Sequence, residues 1–413
     1  MNIAMISYHT CPLATLGGKD TGGMNVYVRE ITRQLGELGV HVDVFTRSQD
    51  EHVPHVLHDL GYGNRVVHIP AGPEVPLPKQ ALVNHLPEFV QGIREFSAGK
   101  GLTYDVIHSH YWMSGVAALE LKRLWNIPVV NMFHTLVLMK NRVAQSPAEI
   151  EGGYRLEGEL KVLRESDRII AATPAELAQL QWLYQADISK IAVIPPGVDT
   201  GKFYPIPPDE AKEFIGVPPC GRMILFVGRI EPLKGLDVLL ESIAQMRARD
   251  VSEEYRFCLV VIGGEADGND MSAEMNRIQA LREQSGLQDL VAFLGKRSQD
   301  TLPYYYSAAE VVVVPSHYES FGMVALEAMA CGTPVVASQV GGLAYLVQDG
   351  QTGYTVPVDD PAALADRLLS LLSNPGLRQR MGETAVETAR GYAWQRIANK
   401  VIAVYSDLVD LPH

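Results

Sequence analysis

Short apolar runs without polar alternation recur along the chain, and stretches with helical periodicity separate them. Strands of this kind are typical of a parallel sheet that helices bury on both faces. In the first half the runs lie at residues 2–8, 41–47, 104–110, 127–134, 168–173 and 190–197. In the second half they lie at residues 223–229, 256–264, 291–296, 311–316, 334–338 and 353–357. The pattern predicts an α/β protein with two doubly wound, Rossmann-like domains.

A segment rich in proline and glycine, residues 195–221, separates the two sets of strands and is the predicted inter-domain linker. The chain has 413 residues, whereas a single hydrophobic core stops growing near about 250–300 residues. We therefore predict an N-terminal domain over residues 1–200, a C-terminal domain over 201–390 and a terminal helix over 391–413 that packs back on the N-terminal domain. The carboxyl ends of both sheets would then border one cleft, where open α/β sheets bind ligands.

Composition and charge exclude some classes of protein. The net charge of −13 argues against a nucleic-acid partner, which requires a basic surface. The sequence contains neither a secretory leader nor an uninterrupted apolar stretch of about 18 residues, so we predict a cytoplasmic protein without a transmembrane segment. The four cysteines are far apart and are expected to be reduced thiols. A homodimer stays open as the oligomeric state.

The sharpest motif follows the fourth apolar run of the second half, where Glu319 and Glu327 lie eight positions apart around the start of a helix. The backbone N–H groups of Phe321, Gly322 and Met323 would face a bound phosphate, which the helix dipole also favours. Because the first carboxylate lies on a loop, it is free to reach a ligand hydroxyl.

Two cations, Arg229 and Lys234, follow the first strand of the second domain. Such donors can neutralise a departing diphosphate without a metal ion. A glycine-rich turn, residues 17–25, joins the first strand to the first helix and lets the backbone approach a ligand. Three histidines, His108, His110 and His134, fall at predicted strand ends.

These motifs together resemble those of the retaining glycosyltransferases of family four, which have the GT-B fold, and the likeness extends over nearly the whole chain. The resemblance implies that the nucleotide-sugar donor is bound by Gly23, Arg229, Lys234, Arg297, Glu319, Phe321, Gly322, Met323 and Glu327. It implies catalytic roles for Arg229, Lys234, Glu319 and His134, with the histidine positioning the donor sugar and the second glutamate holding the ribose. It also implies that divalent metals and other cofactors are not required.

Within that family, the motifs of the first domain are similar to two groups of enzymes. One comprises the mycothiol-pathway enzymes that transfer N-acetylglucosamine to inositol 3-phosphate, and the other comprises the sucrose-phosphate synthases. The likeness implies a UDP-sugar donor and a small phosphorylated acceptor that Asn25, Lys79, Tyr111, Thr135 and Arg155 bind. It separates neither glucose from N-acetylglucosamine nor one acceptor from the other.

Several alternatives remain at this stage. Retention is compatible with a double displacement or with a same-face displacement, and the family resemblance favours the second. A UDP-sugar epimerase would bind the donor without an acceptor pocket, and a non-enzymatic sugar-nucleotide sensor would need no catalytic cations. A nicotinamide-dependent dehydrogenase is disfavoured because the first turns lack Gly-x-Gly-x-x-Gly. The acidic turns at residues 267–270 and 359–360 are interpreted as solvated loops, not metal ligands.

Overall fold

The computed structural model describes residues 1–14, 22–144, 147, 150–216, 221–249, 256–264 and 273–409. Two segments that the sequence singles out, residues 17–21 of the glycine-rich turn and the acidic turn at 267–270, lie outside the described residues. Among the described cysteines, Cys11 and Cys331 are free, whereas Cys258 is disulfide-bonded. The fourth cysteine, Cys220, lies outside the described residues. The expectation of four reduced thiols is therefore wrong at Cys258.

The first sheet consists of β1 (Asn2–Ile6), β2 (His41–Arg47), β3 (Val56–Leu57), β4 (Arg65–Ile69), β5 (Val106–His110), β6 (Val129–Met132), β7 (Arg168–Ala171) and β8 (Ile191–Val193). These strands lie in the order β3-β4-β2-β1-β5-β6-β7-β8. β3 is antiparallel to β4, and the other neighbours run parallel. The associated helices are α1 (Gly23–Glu37), α2 (Lys79–Leu82), α3 (Leu86–Gly99), α4 (Trp112–Trp125), α5 (Val137–Arg142), α6 (Gly153–Glu165) and α7 (Pro174–Tyr184).

The second sheet consists of β9 (Arg222–Val227), β10 (Phe257–Ile262), β11 (Val291–Gly295), β12 (Val311–Val314), β13 (Val335–Ser338) and β14 (Gly353–Val356). These strands are parallel and lie in the order β11-β10-β9-β12-β13-β14. The helices of this half are α8 (Pro208–Ile215), α9 (Leu236–Ala248), α10 (Ala273–Gln284), α11 (Leu302–Ala308), α12 (Met323–Ala330), α13 (Leu343–Leu346), α14 (Pro361–Ser373), α15 (Pro375–Arg390) and α16 (Trp394–Val409).

The central strands are apolar at successive positions because both faces of each sheet are covered. On β1, Ile3 and Met5 join one buried cluster, and Ala4 and Ile6 join another on the opposite face. Strand order reverses beside β1 and beside β9, which places the switch point of each sheet next to its first strand. The predicted fold class, two doubly wound α/β units, is confirmed.

Helix α16 returns from the second half of the chain to the first. It packs against α1, and the ring of Trp394 lies edge-on to that of Tyr27 with 5.4 Å between centroids. Just before α16, the N–H of Val198 donates to the carbonyl of Tyr392 at 2.8 Å, so the two chain crossings between the sheets run side by side. The apolar face of this helix is thereby buried on the first sheet's side of the molecule.

Three elements differ from the sequence prediction. The pattern missed β3, which has only two residues, and β4, which has polar residues at Arg65 and His68. The predicted linker contains helix α8, which packs against α11. Within the described part of the chain, no helix is long and apolar enough to span a bilayer.

Candidate functional site

A cavity of about 590 Å³ lies between the carboxyl ends of the two sheets and is lined by residues from both. Loops that follow β1, β5 and β6 form one wall, and loops that follow β9, β10 and β12 form the other. The cavity brings together all of the site residues predicted from the sequence, namely Gly23, Asn25, Lys79, Tyr111, His134, Thr135, Arg155, Arg229, Lys234, Arg297, Glu319, Phe321, Gly322, Met323 and Glu327.

The second wall carries two cations that face carboxylates. The Lys234 ammonium donates to the Glu319 carboxylate at 2.5 Å, and both side chains are about four-fifths buried. Arg229 donates to Glu231 at 2.7 Å. Both members of each pair line the cavity. An anionic or hydroxylated ligand can therefore bind to either member and separate the pair.

Glycines make the close packing of these loops feasible. Gly235 ends the short 3₁₀ turn that carries Lys234 and has φ +64°, and a Cβ there would collide with the Pro315 carbonyl oxygen. Gly341 has φ +43°, and a Cβ there would collide with the Glu319 carbonyl oxygen. The next N–H, from Gly342, donates to that same oxygen at 3.0 Å. This Gly-Gly pair therefore supports the loop of Glu319 from behind.

The effect of these glycines can be separated from simple backbone strain. Gly341→Ala is expected to destabilise the fold by about 1–3 kcal/mol and to displace Glu319 from Lys234, with loss of activity. Gly350→Ala is the matched control, because Gly350 has φ +74° but nothing within 4 Å of an added Cβ. Thermal unfolding and initial rates measure both effects. Equal activity in the two variants would contradict the positional role of Gly341.

Two helix N-termini meet at the cavity. α1 begins at Gly23 and α12 begins at Met323, and a Cβ added to Gly23 would lie 3.5 Å from Met323 Cγ. Gly322, the N-cap of α12, has φ +107°, which favours glycine. Unpaired N–H groups and the positive dipole ends make such termini favourable for phosphate.

Glu327 lies in α12 at the buried edge of the cavity. Tyr306 donates its hydroxyl hydrogen to the carboxyl at 2.8 Å, and the Gln299 amide lies at 3.4 Å. Burial raises the pKa of Glu327 to about 7. Gln299 also accepts a hydrogen bond from Arg29 of α1, so this polar chain links the two halves of the protein.

The histidine of the first wall, His134, follows β6 and has φ +61°. Its Nε2 lies 3.0 Å from Nδ1 of His110, the last residue of β5. Burial lowers the pKa of His134 to about 3, so its imidazole is neutral at physiological pH. A neutral imidazole suits hydrogen bonding to a ligand hydroxyl.

A second group of polar residues surrounds the ring of Tyr111. The guanidinium of Arg155 lies 4.9 Å from the ring centroid, and the Lys79 ammonium lies 5.9 Å from it. Arg155 is buried and donates to Glu159 at 2.8 Å, to Glu151 at 2.7 Å and to both oxygens of Thr135. Since a guanidinium has five N–H donors, at least one remains for a ligand.

The charges of this group are coupled. Burial opposes the charge on Arg155, but Tyr111, Glu159 and Glu151 outweigh it and raise the pKa of the guanidinium. Burial likewise opposes ionisation of Glu151, but Arg155 and Lys140 lower the pKa of this carboxyl to about 2. Lys140 lies 2.5 Å from Glu151 and also lines the cavity.

Three residues without a role predicted from the sequence also line the cavity, namely Lys140, Glu151 and Gln299. Glu151 and Arg155 are spaced i,i+4, which was the available signal for their ion pair. Gln299 lies on a loop without any pattern of its own.

Two predicted ligand contacts have other partners in the structure. The Asn25 amide donates to Thr10 at 2.7 Å and to the Cys11 carbonyl at 2.8 Å, and its oxygen accepts from the N–H of Gly22. Asn25 therefore holds the start of α1 to the loop after β1. Arg297 is exposed at the cavity rim and donates to the Tyr305 hydroxyl at 3.1 Å.

The second acidic turn is structural. Asp360 caps α14 by accepting from the N–H of Ala363, and Asp359 lies 3.0 Å from Nδ1 of His317. Within the described ranges, no group of three or more His, Cys, Asp or Glu side chains is arranged to hold a metal ion.

Two doubly wound domains that face each other across a cleft of this kind define the GT-B class of glycosyltransferases. Residues 21–202 match the family model described as Glycosyltransferase Family 4, and residues 209–388 match that described as Glycosyl transferases group 1. The chain is 40% identical over 410 residues to the D-inositol 3-phosphate glycosyltransferase of Actinosynnema mirum, which covers 99% of this chain and 98% of that protein. It is 42% identical over 398 residues to the D-inositol 3-phosphate glycosyltransferase of Frankia alni, with 96% and 97% covered.

Solved structures agree with these sequence matches. The sucrose-phosphate synthase of Thermosynechococcus elongatus superposes with a TM-score of 0.90 at 35% identity, with 98% of each chain covered. HepE of Anabaena, solved in complex with UDP and glucose, has a TM-score of 0.75 at 19% identity over 99% of this chain and 100% of that one, a likeness of fold alone. The chain therefore belongs to glycosyltransferase family 4 and is a glycosyltransferase.

Proposed function

We propose that the protein transfers a hexose or an N-acetylhexosamine from a UDP-sugar to a small phosphorylated acceptor such as 1D-myo-inositol 3-phosphate, with retention of anomeric configuration. The observation that carries the proposal is a pair of cationic regions across one cavity. Arg229 and Lys234 belong to the second wall, and Lys79, Lys140 and Arg155 belong to the first. Each region suits a substrate that carries phosphate, since cations form strong charge-assisted hydrogen bonds with it.

The donor is proposed to bind along the second wall. Its diphosphate would lie against Arg229, Lys234 and the N–H groups at the start of α12, and its ribose hydroxyls against Glu327. In the structure Lys234 is paired with Glu319. Donor phosphate would replace that partner, which frees the Glu319 carboxylate to accept hydrogen bonds from the sugar.

The proposed reaction is a same-face displacement. The bond between the anomeric carbon and the terminal phosphate oxygen breaks, and the acceptor hydroxyl oxygen bonds to that carbon from the same side. The hydroxyl proton passes to the departing phosphate oxygen. Arg229, Lys234 and the two helix N-termini stabilise the charge that develops on the diphosphate, so the proposal requires neither a metal ion nor another cofactor.

We propose that the protein consists of an N-terminal domain over residues 1–200, a C-terminal domain over 201–390 and a terminal helix over 391–413. Supporting them, β8 ends at Val193, β9 begins at Arg222 and the paired crossings at Val198 and Tyr392 lie between the sheets. Closure of the two domains over the donor would bend the chain near residues 195–208.

The names of the relatives support a phosphorylated acceptor, since D-inositol 3-phosphate glycosyltransferases are 40% identical to this chain. A second candidate is transfer of glucose to fructose 6-phosphate, favoured by the TM-score of 0.90 with a sucrose-phosphate synthase. Both candidates use the same cavity and differ only in the sugar portions of donor and acceptor.

The testing experiment measures UDP release from UDP-glucose and from UDP-N-acetylglucosamine, each with inositol 3-phosphate, with fructose 6-phosphate and with the unphosphorylated sugars. Assays are run in chelator, and the product's anomeric configuration is read by NMR. We expect turnover with one phosphorylated acceptor and an α-linked product. Conversion of the donor sugar without an acceptor would favour an epimerase, and turnover with unphosphorylated acceptors alone would contradict the phosphate pocket.

The raised pKa of Glu327 predicts a pH dependence of donor binding. Below pH 7 the carboxyl is neutral and accepts weaker hydrogen bonds from the ribose; above pH 7 it is ionised. We therefore expect kcat/KM for the donor to fall about tenfold as the pH drops through a pKa near 7, the pKa of the free enzyme. Glu327→Gln should lower kcat/KM and abolish this step. A step that persists unchanged in the variant would exclude Glu327 as its source.

A further inference from the structure

His110 does not line the cavity itself but contacts two residues that do, His134 and Tyr27. Its side chain is fully buried at the end of β5, and its Nδ1 lies 3.0 Å from Nε2 of His134. Burial lowers the pKa of both rings, so both are neutral near pH 7. The N···N contact between two neutral imidazoles contains one hydrogen, and the tautomers decide which ring supplies it.

The remaining nitrogen of His110 distinguishes the two arrangements. His110 Nε2 is buried and forms no hydrogen bond with any group in the described part of the chain. If the His110 hydrogen were on Nε2, a buried N–H would have no acceptor. If the hydrogen is on Nδ1, this N–H donates to His134, and only the lone pair of Nε2 is left without a partner. Buried N–H groups without an acceptor are rare, so the second arrangement is favoured.

This arrangement determines the tautomer of His134. A ring nitrogen that accepts a hydrogen bond carries no hydrogen, so His134 Nε2 is bare and its hydrogen is on Nδ1. His134 lines the cavity. Within the described residues, its side chain makes one hydrogen bond, which is the contact of Nε2 with His110. Its Nδ1–H is therefore available to a ligand oxygen.

Aromatic packing fixes the pair in place. The Tyr27 ring contacts both imidazoles, with centroid distances of 5.4 Å to His110 and 5.3 Å to His134. The His108 ring lies 4.3 Å from that of His110, and its Nδ1 lies 2.6 Å from the hydroxyl of Tyr405 on α16. These contacts hold both rings in the orientation that places His110 Nδ1 against His134 Nε2.

We propose that His110 is a positioning residue that donates its Nδ1–H to His134 Nε2 and so holds His134 in the tautomer that presents Nδ1–H to a hydroxyl oxygen of the donor sugar. The contact of His134 with the donor sugar rests on the proposed function, whereas the tautomer of His134 does not depend on that function. Since free histidine favours the hydrogen on Nε2, His134 is held in the less common form.

The tautomer is tested directly by ¹⁵N–¹H correlation NMR of the histidine rings in the ligand-free protein. The His134 signals are assigned as those missing in His134→Gln. We expect the wild type to show the Nδ1–H form of His134, and His110→Asn to keep it, because an asparagine amide can donate from nearly the position of Nδ1. His110→Leu should lose it. An Nε2–H form of His134 in the wild type overturns the proposal without any variant.

Kinetics test the positioning role. We expect His110→Leu to lower kcat about tenfold, as is typical when a group that orients an imidazole is removed. His110→Asn should recover most of that loss. In the double variant His110→Leu/His134→Ala, activity should be no lower than in His134→Ala alone, because His110 acts through His134. Additive losses would contradict this.

The tautomer of His134 and its role at the donor sugar can be disproved separately. If His134→Ala retains full activity while the NMR signature is as expected, the donor-sugar role within the proposed function is wrong and the tautomer stands. If His134→Ala is inactive and the wild type shows Nε2–H, the proposed function stands and the role of His110 is wrong. Thermal unfolding of each variant identifies those that lose activity because they no longer fold.

Discussion

Lys234→Ala is expected to lower kcat by about 10²–10³-fold, because it removes a fixed cation from the departing diphosphate. The loss should fall mainly on kcat, since the charge on the diphosphate grows in the transition state. Arg229→Ala is expected to act in the same way. Both changes also remove a partner from a carboxylate of the cavity wall, Glu319 or Glu231, whose side chains are 19% and 33% exposed. Because water in the cavity can reach either carboxylate, we expect the fold to tolerate the loss.

The control for these variants is Arg390→Ala, which removes an exposed cation paired with Glu387 far along α15. We expect this control to retain wild-type kcat and an unchanged melting temperature. Initial rates at saturating donor and acceptor provide the measurement. A Lys234→Ala enzyme with kcat within about threefold of the wild type would exclude the lysine from transition-state stabilisation.

Arg155→Leu is expected to destabilise the fold by about 3–5 kcal/mol, as is typical when one partner of a buried ion pair is removed. The Glu159 carboxyl is fully buried and depends on this guanidinium, on the N–H of Val137 and on the Tyr184 hydroxyl for its hydrogen bonds. Burial raises the pKa of Glu159, and the charge of Arg155 opposes this rise. Without the guanidinium, the carboxyl therefore binds a proton more readily than in the wild type. Chemical denaturation measures the change.

A compensating variant separates the buried charge from the size of the side chain. Arg155→Met/Glu159→Gln removes both charges, and we expect it to recover a large part of the stability lost in Arg155→Leu. The exposed ion pair of Arg123 with Glu120 and Glu165 is the matched control, and Arg123→Ala should cost at most about 1 kcal/mol. Similar losses for Arg155→Leu and Arg123→Ala would contradict the structural role of the buried pair.

The fold was predictable because most of the buried parallel strands are short apolar runs without polar alternation. Runs such as residues 311–316 reveal strands without any knowledge of their neighbours. The antiparallel β3 has two residues and thus contains no period to detect. Helix α8 was hidden by the prolines around it, although Pro208 is at its first position, where proline is favoured.

The candidate site shows the same division. Spacing along the chain identified Glu319 and Glu327, since both flank the start of one helix. Contacts between residues that are far apart in the sequence produce no such pattern of spacing. The contact between His110 and His134 joins two residues that lie 24 positions apart in the sequence. The partners of Asn25, which hold the loop after β1, also became apparent only once the chain was folded.

The most direct test of the central claim compares a phosphorylated acceptor with its unphosphorylated counterpart in the wild-type enzyme. The measurement is the ratio of kcat/KM for inositol 3-phosphate to that for inositol, or for fructose 6-phosphate to that for fructose, with the better UDP-sugar as donor. We predict a ratio of at least about 10² for one pair, because a phosphate that pairs with Lys79, Lys140 and Arg155 forms several charge-assisted hydrogen bonds. A ratio near one for both pairs would contradict the proposed phosphate pocket.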